Sequence, residues 1–597
     1  MIILGLNAYH ADAAACLIRD GELLAAAEEE RFRRVKHVAG LPVQSVQYCL
    51  NQGSVSFSDV DIIAINQDGN ANAAARVKYV LSNRPELSSI YGKLKVRRSR
   101  REVINHLASA LKTHAPDAKL ENVEHHLAHL ASANFQSGFE KNVSISIDGF
   151  GDFASAAWAE CLGGDISIEK RVHFPHSMGI FYQAITQFLG FPNYGDEFKV
   201  MGLSAYGTPK YRNALRGAVN YFGDGTFTLS TTYFNHTTKQ INFEWDAGAP
   251  SFDKLYEDWL ESELGPARGP QDGIDQRHAD IAASAQQIYE EVLINMCVAA
   301  NRFTGLTDLT LAGGCANNSV ANGKITTATP FKRIHVHPAP SDSGGAVGAA
   351  LVAWHKHKAT VVEGGLPYLG PAFSDAQVAS DLIEKGQDLA EAGVSISHLS
   401  SEAELVQNCA DALAEGKIVG WFQGRMEWGP RALGNRSILC DPRRHDARDL
   451  INQKIKMREE FRPFAPSILA ECVHDWFSDS RPSPFMSEVR EVIDEKRDLI
   501  PAVVHVDGTA RVQTVAREGN ALFYDLITAF AERTDVPMLL NTSLNSGEPI
   551  VCKPLEAINL FQRTRIDELY IGKTRLVRTG GGSDEGKKAT EATSFLI

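Results

Sequence analysis

Two histidines four residues apart are the first features of this sequence that point to metal chemistry. His125 and His129 share one face if the segment is helical, so their imidazoles could bind one metal ion together. Asp148, after the next predicted strand, and Asp342, in a later Pro-rich loop, complete a His₂Asp₂ set. This set suits iron, zinc or manganese, and ligand type does not decide among them. The alternative is structural: the histidines cap a helix or satisfy hydrogen bonds in the core.

Glycine-rich turns after short apolar strands form the second candidate site. Gly313 and Gly314 directly follow the predicted strand 309–312, and Asn317 precedes a helix predicted from about residue 318. Glycines let backbone amides approach a phosphate, and a helix N-terminus favours an anion. Residues 343–345 repeat the pattern. These turns, with the acidic turns after two earlier strands, predict a nucleotide cleft between two lobes, and tight strand-to-helix packing is the alternative.

Arginine and lysine side chains are concentrated between residues 424 and 464. Residues 424–437 read Gly-Arg-Met-Glu-Trp-Gly-Pro-Arg-Ala-Leu-Gly-Asn-Arg-Ser, and further basic residues follow in 454–458 and 462–464. In an acidic protein, guanidinium groups separated by glycines are typical of a site for a polyanionic small molecule. A solvated helix face explains them less well, because glycines, prolines and Trp428 interrupt the charges. The polar stretches 505–511 and 541–545 either add contacts to anions and hydroxyls or form turns.

The elements that must position these residues alternate between strands and helices. Residues 2–7 have a buried-strand pattern, and an Asp20-Gly21 turn joins the next two apolar runs into a hairpin. A second strand, acidic turn and strand begin at residue 143, which suggests a duplicated unit. The alternation predicts an α/β architecture. A Gly- and Pro-rich stretch, 357–371, divides the chain into domains 1–356 and 365–597, and the tail from Thr579 is predicted to be poorly ordered.

Composition narrows the class of protein. Of the 597 residues, 44% are hydrophobic and 22% are charged, as in ordinary globular proteins, and the net charge of −13 disfavours a nucleic-acid partner. The nine cysteines are scattered without a Cys-x-x-Cys pair, which argues against a disulfide framework or a zinc knuckle. Neither a secretory signal nor an apolar run of about 18 residues is present, so we expect a cytoplasmic protein without a membrane partner. The oligomeric state is not readable from one sequence.

Several motifs in a fixed order make the chain resemble the O-carbamoyltransferases, a family that includes the nodulation-factor, cephem and aminoglycoside carbamoyltransferases. The resemblance spans most of the chain. The motifs that carry it are Glu28-Glu29-Glu30-Arg31-Phe32 with Lys36-His37, His125-His126-x-x-His129, Lys199-Val200-Met201-Gly202-Leu203 with Tyr206-Gly207, Gly313-Gly314, the run from Gly429 to Ser437, Arg462-Pro463-Phe464-Ala465-Pro466, and Asn541-Thr542-Ser543.

The resemblance implies a two-domain α/β design. The first domain is expected to be a duplicated, threonylcarbamoyl-transferase-like member of the actin, sugar-kinase and heat-shock ATPase superfamily, and the second a YrdC-like synthase. The second domain would make carbamoyl-adenylate from carbamoyl phosphate and ATP, with Mg²⁺ accompanying the ATP, and we expect it to do so by itself. The first domain, with Fe²⁺ or another divalent metal, would pass the carbamoyl group to a hydroxyl of a small molecule such as a secondary metabolite or a sugar, and release AMP.

The resemblance also assigns roles to individual residues of this sequence. It makes His125, His129, Asp148 and Asp342 the metal ligands. It gives catalytic roles to His10, Lys36 and Arg431, and we expect His10 to act as general base toward the acceptor hydroxyl. The expected nucleotide contacts are Asp12, Gly149, Gly313, Gly314, Asn317 and Arg511, and the expected carbamoyl phosphate contacts are Arg431, Lys456, Arg462 and Ser543.

Three other functions stay open at this point. A tRNA threonylcarbamoyl transferase is disfavoured by the fused synthase-like domain and the acidic net charge. A kinase of the sugar-kinase type does not explain the histidine pair or the arginine-rich second domain. A non-enzymatic, ATP-binding regulator of the actin-like superfamily gives no reason to keep Arg431, Lys456 and Arg462 together.

Overall fold

Two five-stranded sheets of the same topology form the first part of the chain. The computed structural model describes residues 1–83, 117–239, 241, 243–244, 248–358 and 365–578. The first sheet has the order β3-β2-β1-β4-β5, and β1 pairs antiparallel with β2 and parallel with β4. Its strands are β1 (Ile2–Asn7), β2 (Ala14–Arg19), β3 (Glu22–Glu28), β4 (Ile62–Ile65) and β5 (Lys119–Asn122).

The second sheet repeats this arrangement. The strands that follow in the chain are β6 (Lys141–Gly151), β7 (Ala154–Leu162), β8 (Asp165–His173), the short hairpins β9 (Val219–Tyr221) with β10 (Phe227–Leu229) and β11 (Phe243–Glu244) with β12 (Ser251–Phe252), then β13 (Asp308–Ala312) and β14 (Arg333–Val336). The sheet order is β14-β13-β6-β7-β8, with β6 antiparallel to β7 and parallel to β13. In both sheets the central strand has an antiparallel meander on one side and two parallel strands on the other, so the predicted duplication is confirmed.

A nine-stranded mixed sheet forms the second part. Its strands are β15 (Val394–His398), β16 (Val419–Phe422), β17 (Arg436–Cys440), β18 (Ala465–Leu469), β19 (Glu488–Glu491), β20 (Thr509–Val515), β21 (Met538–Ser543), β22 (Glu568–Ile571) and β23 (Thr574–Arg578). Their order is β15-β23-β22-β16-β17-β21-β18-β20-β19. The predicted α/β class is therefore confirmed in both parts. The YrdC-like character of the second part and the domain limits stay predictions, and the predicted disorder from Thr579 lies outside the described residues.

Helices cover the sheets. In the first part the described α-helices are Glu30–Arg33, Val43–Gly53, Ala73–Asn83, His125–Gln136, Met178–Phe188, Glu197–Leu203, Arg212–Arg216, Asn235–Thr238, Trp259–Leu264, Gln276–Thr304, Ser319–Ala328 and Asp342–Lys358. In the second part they are Asp375–Glu391, Glu402–Ala414, Ala447–Ile451, Ala521–Thr534 and Pro554–Arg563, with a π-helical turn at Asn452–Lys456. No helix among these combines the length and apolar character needed to cross a membrane.

Local sequence explains the first hairpin, and tertiary context changes two predicted boundaries. Asp20 and Gly21 both have positive φ, 51° and 92°, as a two-residue hairpin turn requires. Strand β6 continues to Gly151, so Asp148 lies within the strand and not after it, and the pairing with β7 becomes irregular between Ile147 and Gly151. Asp342 is the first residue of a helix and not a loop residue. A carboxylate is favourable at this position, because the helix dipole is positive at the N-terminus.

Candidate functional site

Four side chains meet at the predicted metal centre. The Nε2 atoms of His125 and His129 lie 3.1 Å apart, and Asp148 Oδ2 lies 3.2 Å from the first and 3.0 Å from the second. Asp342 Oδ1 lies 3.5 Å from each of the two Nε2 atoms. The four ligand atoms are within 4.8 Å of one another, and both imidazoles are buried. This convergence fits one divalent cation with two nitrogen and two oxygen ligands.

Two helix starts and two glycines bring these ligands together. The Glu124 side chain caps the helix His125–Gln136 by accepting from Leu127 N at 2.8 Å. The helix Asp342–Lys358 packs closely against it, since a Cβ on Gly348 would lie 1.8 Å from the carbonyl oxygen of Ala128. A Cβ on Gly151 would lie 2.0 Å from the His125 ring, so the strand needs glycine there to admit the imidazole.

The glycines predicted to bind nucleotide also orient Asp148, one of the predicted metal ligands. Asp148 Oδ1 accepts from the backbone N–H of Gly149 at 2.8 Å and of Gly314 at 3.2 Å. Gly313 has a φ of 88°, and a Cβ there would lie 2.2 Å from the Ile147 carbonyl oxygen. These two amides fix the rotation of the carboxylate and leave its Oδ2 toward the histidines. Nucleotide binding by these glycines stays a prediction, as it does for Asn317, whose Nδ2 donates to the Gly314 carbonyl at 3.2 Å.

Protonation follows from the burial of this cluster. Burial lowers the pKa of His125, but the hydrogen bond to Asp148 and the charge of Asp342 outweigh it and raise that pKa to about 10. Burial raises the pKa of Asp148, yet its hydrogen bonds to His125 and His129 hold it well below the usual range. Burial and the charge of Asp148 raise the pKa of Asp342 to about 6. Without a cation, protons bound by this cluster therefore balance the negative charge of its two carboxylates. A bound metal would displace those protons.

His10, the predicted general base, lies at the edge of the same cluster. Its ring stacks on His125 with the centroids 5.4 Å apart and an interplanar angle of 28°. Its Nδ1 lies 3.8 Å from Asp342 Oδ2. The imidazole is therefore close to any group bound to the metal, which is the position a base for the acceptor hydroxyl requires. The base role itself stays a prediction.

A second carboxylate–histidine pair lies in the same part of the chain, and sequence analysis did not identify it. Asp12 Oδ1 lies 2.7 Å from His37 Nδ1, and His37 N donates to Glu30 Oε2 at 2.9 Å. Burial lowers the pKa of His37, but Asp12 and Glu30 outweigh it and raise that pKa to about 9. Asp12, predicted to contact nucleotide, thus has an imidazolium partner inside the protein. In the sequence, the Lys36-His37 dipeptide is the feature that could have indicated this pair. Its partner, Asp12, lies 25 residues from His37 along the chain, so the spacing gives no hint of the contact.

The predicted carbamoyl phosphate residues of the second part also lie together. Lys456 is buried, and its Nζ donates to the Ser543 carbonyl, to Ser543 Oγ at 3.3 Å and to Asn545 Oδ1 at 2.7 Å. Burial and the charges of Arg458 and Arg462 hold the pKa of Lys456 well below its usual range. All three acceptors are neutral, so no carboxylate balances this ammonium group at contact distance among the described residues.

Four arginines complete this group, which we call the cationic cluster: Arg431, Lys456, Arg458, Arg462 and Arg511. Burial and the charge of Arg462 lower the pKa of Arg431 to about 10, and burial with the charges of Arg431 and Arg458 lowers that of Arg511. Arg458 was not predicted as a site residue. Its Nε donates to Asn452 Oδ1 at 2.7 Å, and its Nη2 is buried without a hydrogen-bond partner in the described part of the chain.

The other two arginines of the loop 424–437 are structural. Arg436 is fully buried and donates to four carbonyl oxygens, those of Gln423, Asn435, Pro371 and Gly424. Arg425 donates to the carbonyl oxygens of Gly370, Leu24 and Leu369. Arg431 makes no such bonds among the described residues, so only one of the three guanidinium groups in this loop is available to a ligand.

Lys36 connects the two parts of the candidate site. Its pKa is lowered by burial, and its charge interacts with Glu30 and with Arg462 of the cationic cluster. Hydrogen bonds from arginine side chains of the first part to backbone carbonyls of the second hold the two parts together nearby. Arg31 Nη2 donates to the Gly429 carbonyl at 2.8 Å, and Arg34 Nη1 donates to the Ile550 carbonyl at 2.7 Å. The charge of the predicted catalytic lysine is thus within interaction range of Glu30, which contacts His37, and of Arg462 in the cationic cluster.

Known proteins are similar to this chain over most of its length. A family model described as Carbamoyltransferase N-terminus matches residues 2–351, and one described as Carbamoyltransferase C-terminus matches residues 410–578. The chain is 37% identical to the uncharacterized protein sll1178 of Synechocystis sp., covering 97% of each chain. It is also 37% identical to the nodulation protein NolNO of Sinorhizobium fredii, over 95% of this chain and 79% of that protein. The nodulation protein NolO of Bradyrhizobium diazoefficiens is 37% identical over 75% of this chain and 78% of its own length.

Proposed function

The chain belongs to the carbamoyltransferase family, and we propose that it is an ATP-dependent O-carbamoyltransferase that uses carbamoyl phosphate as donor and a small-molecule hydroxyl as acceptor. The cationic cluster carries this proposal. Among the described residues, the only carboxylate within ion-pair distance of its five cations is Glu459, at 3.6 Å from Arg462, and Glu459 also pairs with Lys199 at 3.1 Å. A cluster of like charges held by neutral partners favours a polyanion, and both ATP and carbamoyl phosphate are polyanions.

In the first half-reaction we assign the cluster to adenylate formation. Water attacks the phosphorus of carbamoyl phosphate, the bond from that phosphorus to the carbamoyl oxygen breaks, and carbamate and inorganic phosphate leave with both carbamoyl oxygens in the carbamate. A carbamate oxygen then attacks the α-phosphorus of ATP, the new O–P bond forms as the α–β bridge breaks, and pyrophosphate leaves with the electron pair. Arg431 and its neighbours would neutralise charge that develops on the phosphate oxygens, which is the role fixed cations perform best in a water-poor site.

In the second half-reaction the acceptor oxygen attacks the carbonyl carbon of carbamoyl-adenylate. The bond from that carbon to AMP breaks, AMP leaves, and the hydroxyl proton passes to a base, for which His10 is our candidate. A divalent metal held by the His₂Asp₂ cluster would supply Lewis-acid chemistry. Because carbamate and its adenylate decay in water, formation and use within one protein would limit their loss.

Pyrophosphate release tests this proposal. The purified protein mixed with ATP and carbamoyl phosphate should release pyrophosphate, and omission of carbamoyl phosphate should stop it. His10→Ala should still release pyrophosphate but transfer carbamoyl poorly to an acceptor found by screening hydroxyl compounds with labelled carbamoyl phosphate. General-base catalysis is typically worth about 10²–10⁴-fold, so the transfer defect should be of that order. Loss of pyrophosphate release in folded His10→Ala would move His10 to the first half-reaction.

A further inference from the structure

Strand β15 forms one edge of the nine-stranded sheet and is paired on one side, antiparallel to β23. Leu399, directly after the strand, donates its N–H to the Lys573 carbonyl of the β23 side at 2.8 Å. Backbone groups in an antiparallel pair face the partner strand at every second residue. The N–H and C=O groups of Val394, Ile396 and His398 therefore point away from β23, toward the outer side of the sheet.

This outer side of β15 is open. Only the first residue of the strand is buried, and Ile396 keeps an exposed fraction of 44%. Within the residues that the structure describes, no hydrogen bond reaches the outward backbone groups of the strand. An unpaired edge of this kind is a template for another strand, and proteins commonly protect such edges with charged side chains.

The other edges of the three large sheets are protected in this way. Strands β3, β5, β8, β14 and β19 each contain at least one Asp, Glu, Lys or Arg residue. Strand β3 is also covered, because its Ala26 N–H donates to the Leu369 carbonyl at 3.2 Å. In contrast, β15 reads Val-Ser-Ile-Ser-His and has none of these four residue types. Among these edges, β15 is therefore the one best suited to pair with another strand.

The sequence of β15 is complementary to a second copy of itself. If a two-fold axis passes beside Ile396, two copies pair antiparallel, with Ile396 opposite Ile396 and Val394 opposite His398. These are the residues whose backbone groups point outward, so each outward N–H meets a carbonyl of the other copy. Ser395 then lies opposite Ser397, and paired serine hydroxyls stabilise neighbouring strands.

Apolar side chains beside the open edge also favour a protein partner. Ile396 is on the same face of the strand as Val394, which belongs to the core that includes Leu389 of the helix Asp375–Glu391. The same helix carries Ile383, whose exposed fraction of 82% is the largest of any large hydrophobic side chain in the described part of the chain. The strand and the helix next to it thus both leave an isoleucine in water.

We propose that β15 is the contact surface of a homodimer, in which two copies of this chain join their nine-stranded sheets across a two-fold axis at Ile396. Main-chain hydrogen bonds would supply affinity, as in other cases of strand addition. A neutral edge suits a second copy, since each chain has a net charge of −13 and two acidic surfaces would repel each other. This inference is independent of the proposed function.

Sedimentation velocity of the full-length protein tests for the dimer, at about 0.15 M salt so that repulsion between the acidic chains is largely screened. Wild type should show a monomer–dimer equilibrium within roughly 1–100 μM, as expected for a small interface. Ile396→Lys should raise the dissociation constant roughly tenfold or more, because two like charges replace an apolar pair. Phe303→Lys, which replaces an exposed aromatic residue of the first part, is the matched control and should dimerise as wild type does.

Cysteine cross-linking tests the register of the two strands. In the proposed pairing the two Ile396→Cys positions lie directly opposite, with Cα atoms about 5.5 Å apart, which a disulfide can span. The two Ser397→Cys positions are diagonal neighbours, about 7–8 Å apart, and should cross-link poorly. None of the native cysteines is exposed, so oxidised wild type should give no covalent dimer on a non-reducing gel.

Four outcomes would overturn the proposal. Wild type that stays monomeric throughout this concentration range has no such contact. A dimer that Ile396→Lys leaves intact has its contact surface elsewhere. Efficient cross-linking of Ser397→Cys in place of Ile396→Cys would refute the two-fold axis at Ile396. Slow hydrogen exchange of the Ile396 N–H in a monomer would show that another segment of the same chain covers the edge.

Discussion

Replacing Arg431 by alanine should slow adenylate formation by roughly 10²–10³-fold while leaving the fold intact. The Arg431 guanidinium makes no hydrogen bond or ion pair with the described residues, and the charge of Arg462 acts unfavourably on it. Its removal should therefore change the free energy of unfolding by no more than about 0.5 kcal/mol, as for substitutions away from structural contacts. A loss of rate in this variant would then come from lost contacts with a ligand and not from unfolding.

The decrease in the rate of adenylate formation can be estimated from what one guanidinium group contributes to a transition state. One fixed donor to charge that develops in a transition state is worth about 2.7–4 kcal/mol, or roughly 10²–10³-fold in rate. The Coulomb attraction between a cation and a phosphate oxygen roughly 4 Å apart, at an effective dielectric constant of about 20, is about 4 kcal/mol. This value agrees with the transition-state stabilisation expected from one donor. The assay is the initial rate of pyrophosphate release at saturating ATP and carbamoyl phosphate. Arg431→Lys should recover only part of the rate, because an ammonium group cannot bind two oxygens as a planar guanidinium does.

Arg436→Ala is the contrasting variant from the same loop. Its guanidinium donates to four carbonyl oxygens and lies 3.7 Å from the centre of the Phe422 ring. Hydrogen bonds to charged groups are worth about 1.5–3 kcal/mol each, so this variant should lose more than about 3 kcal/mol in urea unfolding. If Arg431→Ala is destabilised to a similar extent, or keeps a rate within twofold of wild type, the division between ligand-binding and structural arginines is wrong.

Three further predictions concern the metal cluster and its neighbour. The double variant His125→Ala/His129→Ala should lose bound divalent metal in elemental analysis, since it removes both nitrogen ligands. Gly151→Ala should weaken metal binding although it replaces no ligand, because its Cβ would lie 2.0 Å from the His125 ring and displace it. Calorimetric titration with Fe²⁺ or Zn²⁺ under anaerobic conditions would measure this. The folded pKa of His37, about 9, exceeds its unfolded value of about 6.5, so pairing with Asp12 should stabilise the fold fully below about pH 6.5 and cease to do so as pH rises through 9. Asp12→Asn should therefore be less stable than wild type at pH 6 in urea unfolding and similar to it above pH 9.

Each of these predictions has a control and a contrary outcome. His126→Ala tests the metal assignment, because His126 is on the same helix but its Nδ1 contacts Ser146 Oγ at 2.7 Å, so metal content should stay at the wild-type level. Stoichiometric metal in the double variant would refute the ligand set. Unchanged affinity in Gly151→Ala would show that the His125 ring has room to move. An Asp12→Asn stability difference that does not vary between pH 6 and pH 9 would show that His37 is not charged by its partner.

Sequence reasoning selected the four side chains that the structure brings together at the predicted metal site, and their binding of a metal stays a prediction. The His125 and His129 spacing is a local property of one helix, and Asp148 and Asp342 lie near the ends of elements that converge in a duplicated α/β fold. The duplication itself was visible as two similar strand–turn–strand openings. Both features depend on short-range patterns, which can be read from one sequence without knowledge of its tertiary contacts.

Long-range pairing set the limit of what the sequence could predict. Whether an arginine of the loop 424–437 faces a ligand or backbone carbonyls depends on segments such as Pro371, which are distant in the chain, so Arg431 and Arg436 look equivalent until the structure separates them. Asp12 and His37, which pair with each other, both have positive φ, 55° and 53°, and no local pattern in the sequence indicates this pairing.

Oxygen transfer tests the central claim most directly. Carbamoyl phosphate labelled with ¹⁸O at both oxygens of its carbamoyl group would be incubated with the protein, ATP and a hydroxyl acceptor, and the AMP would be analysed by mass spectrometry. If carbamate attacks the α-phosphorus and the acceptor later attacks the carbonyl carbon, one labelled oxygen stays on each AMP. Unlabelled AMP, or release of ADP in place of AMP and pyrophosphate, would contradict a carbamoyl-adenylate intermediate and with it the proposed role of the cationic cluster.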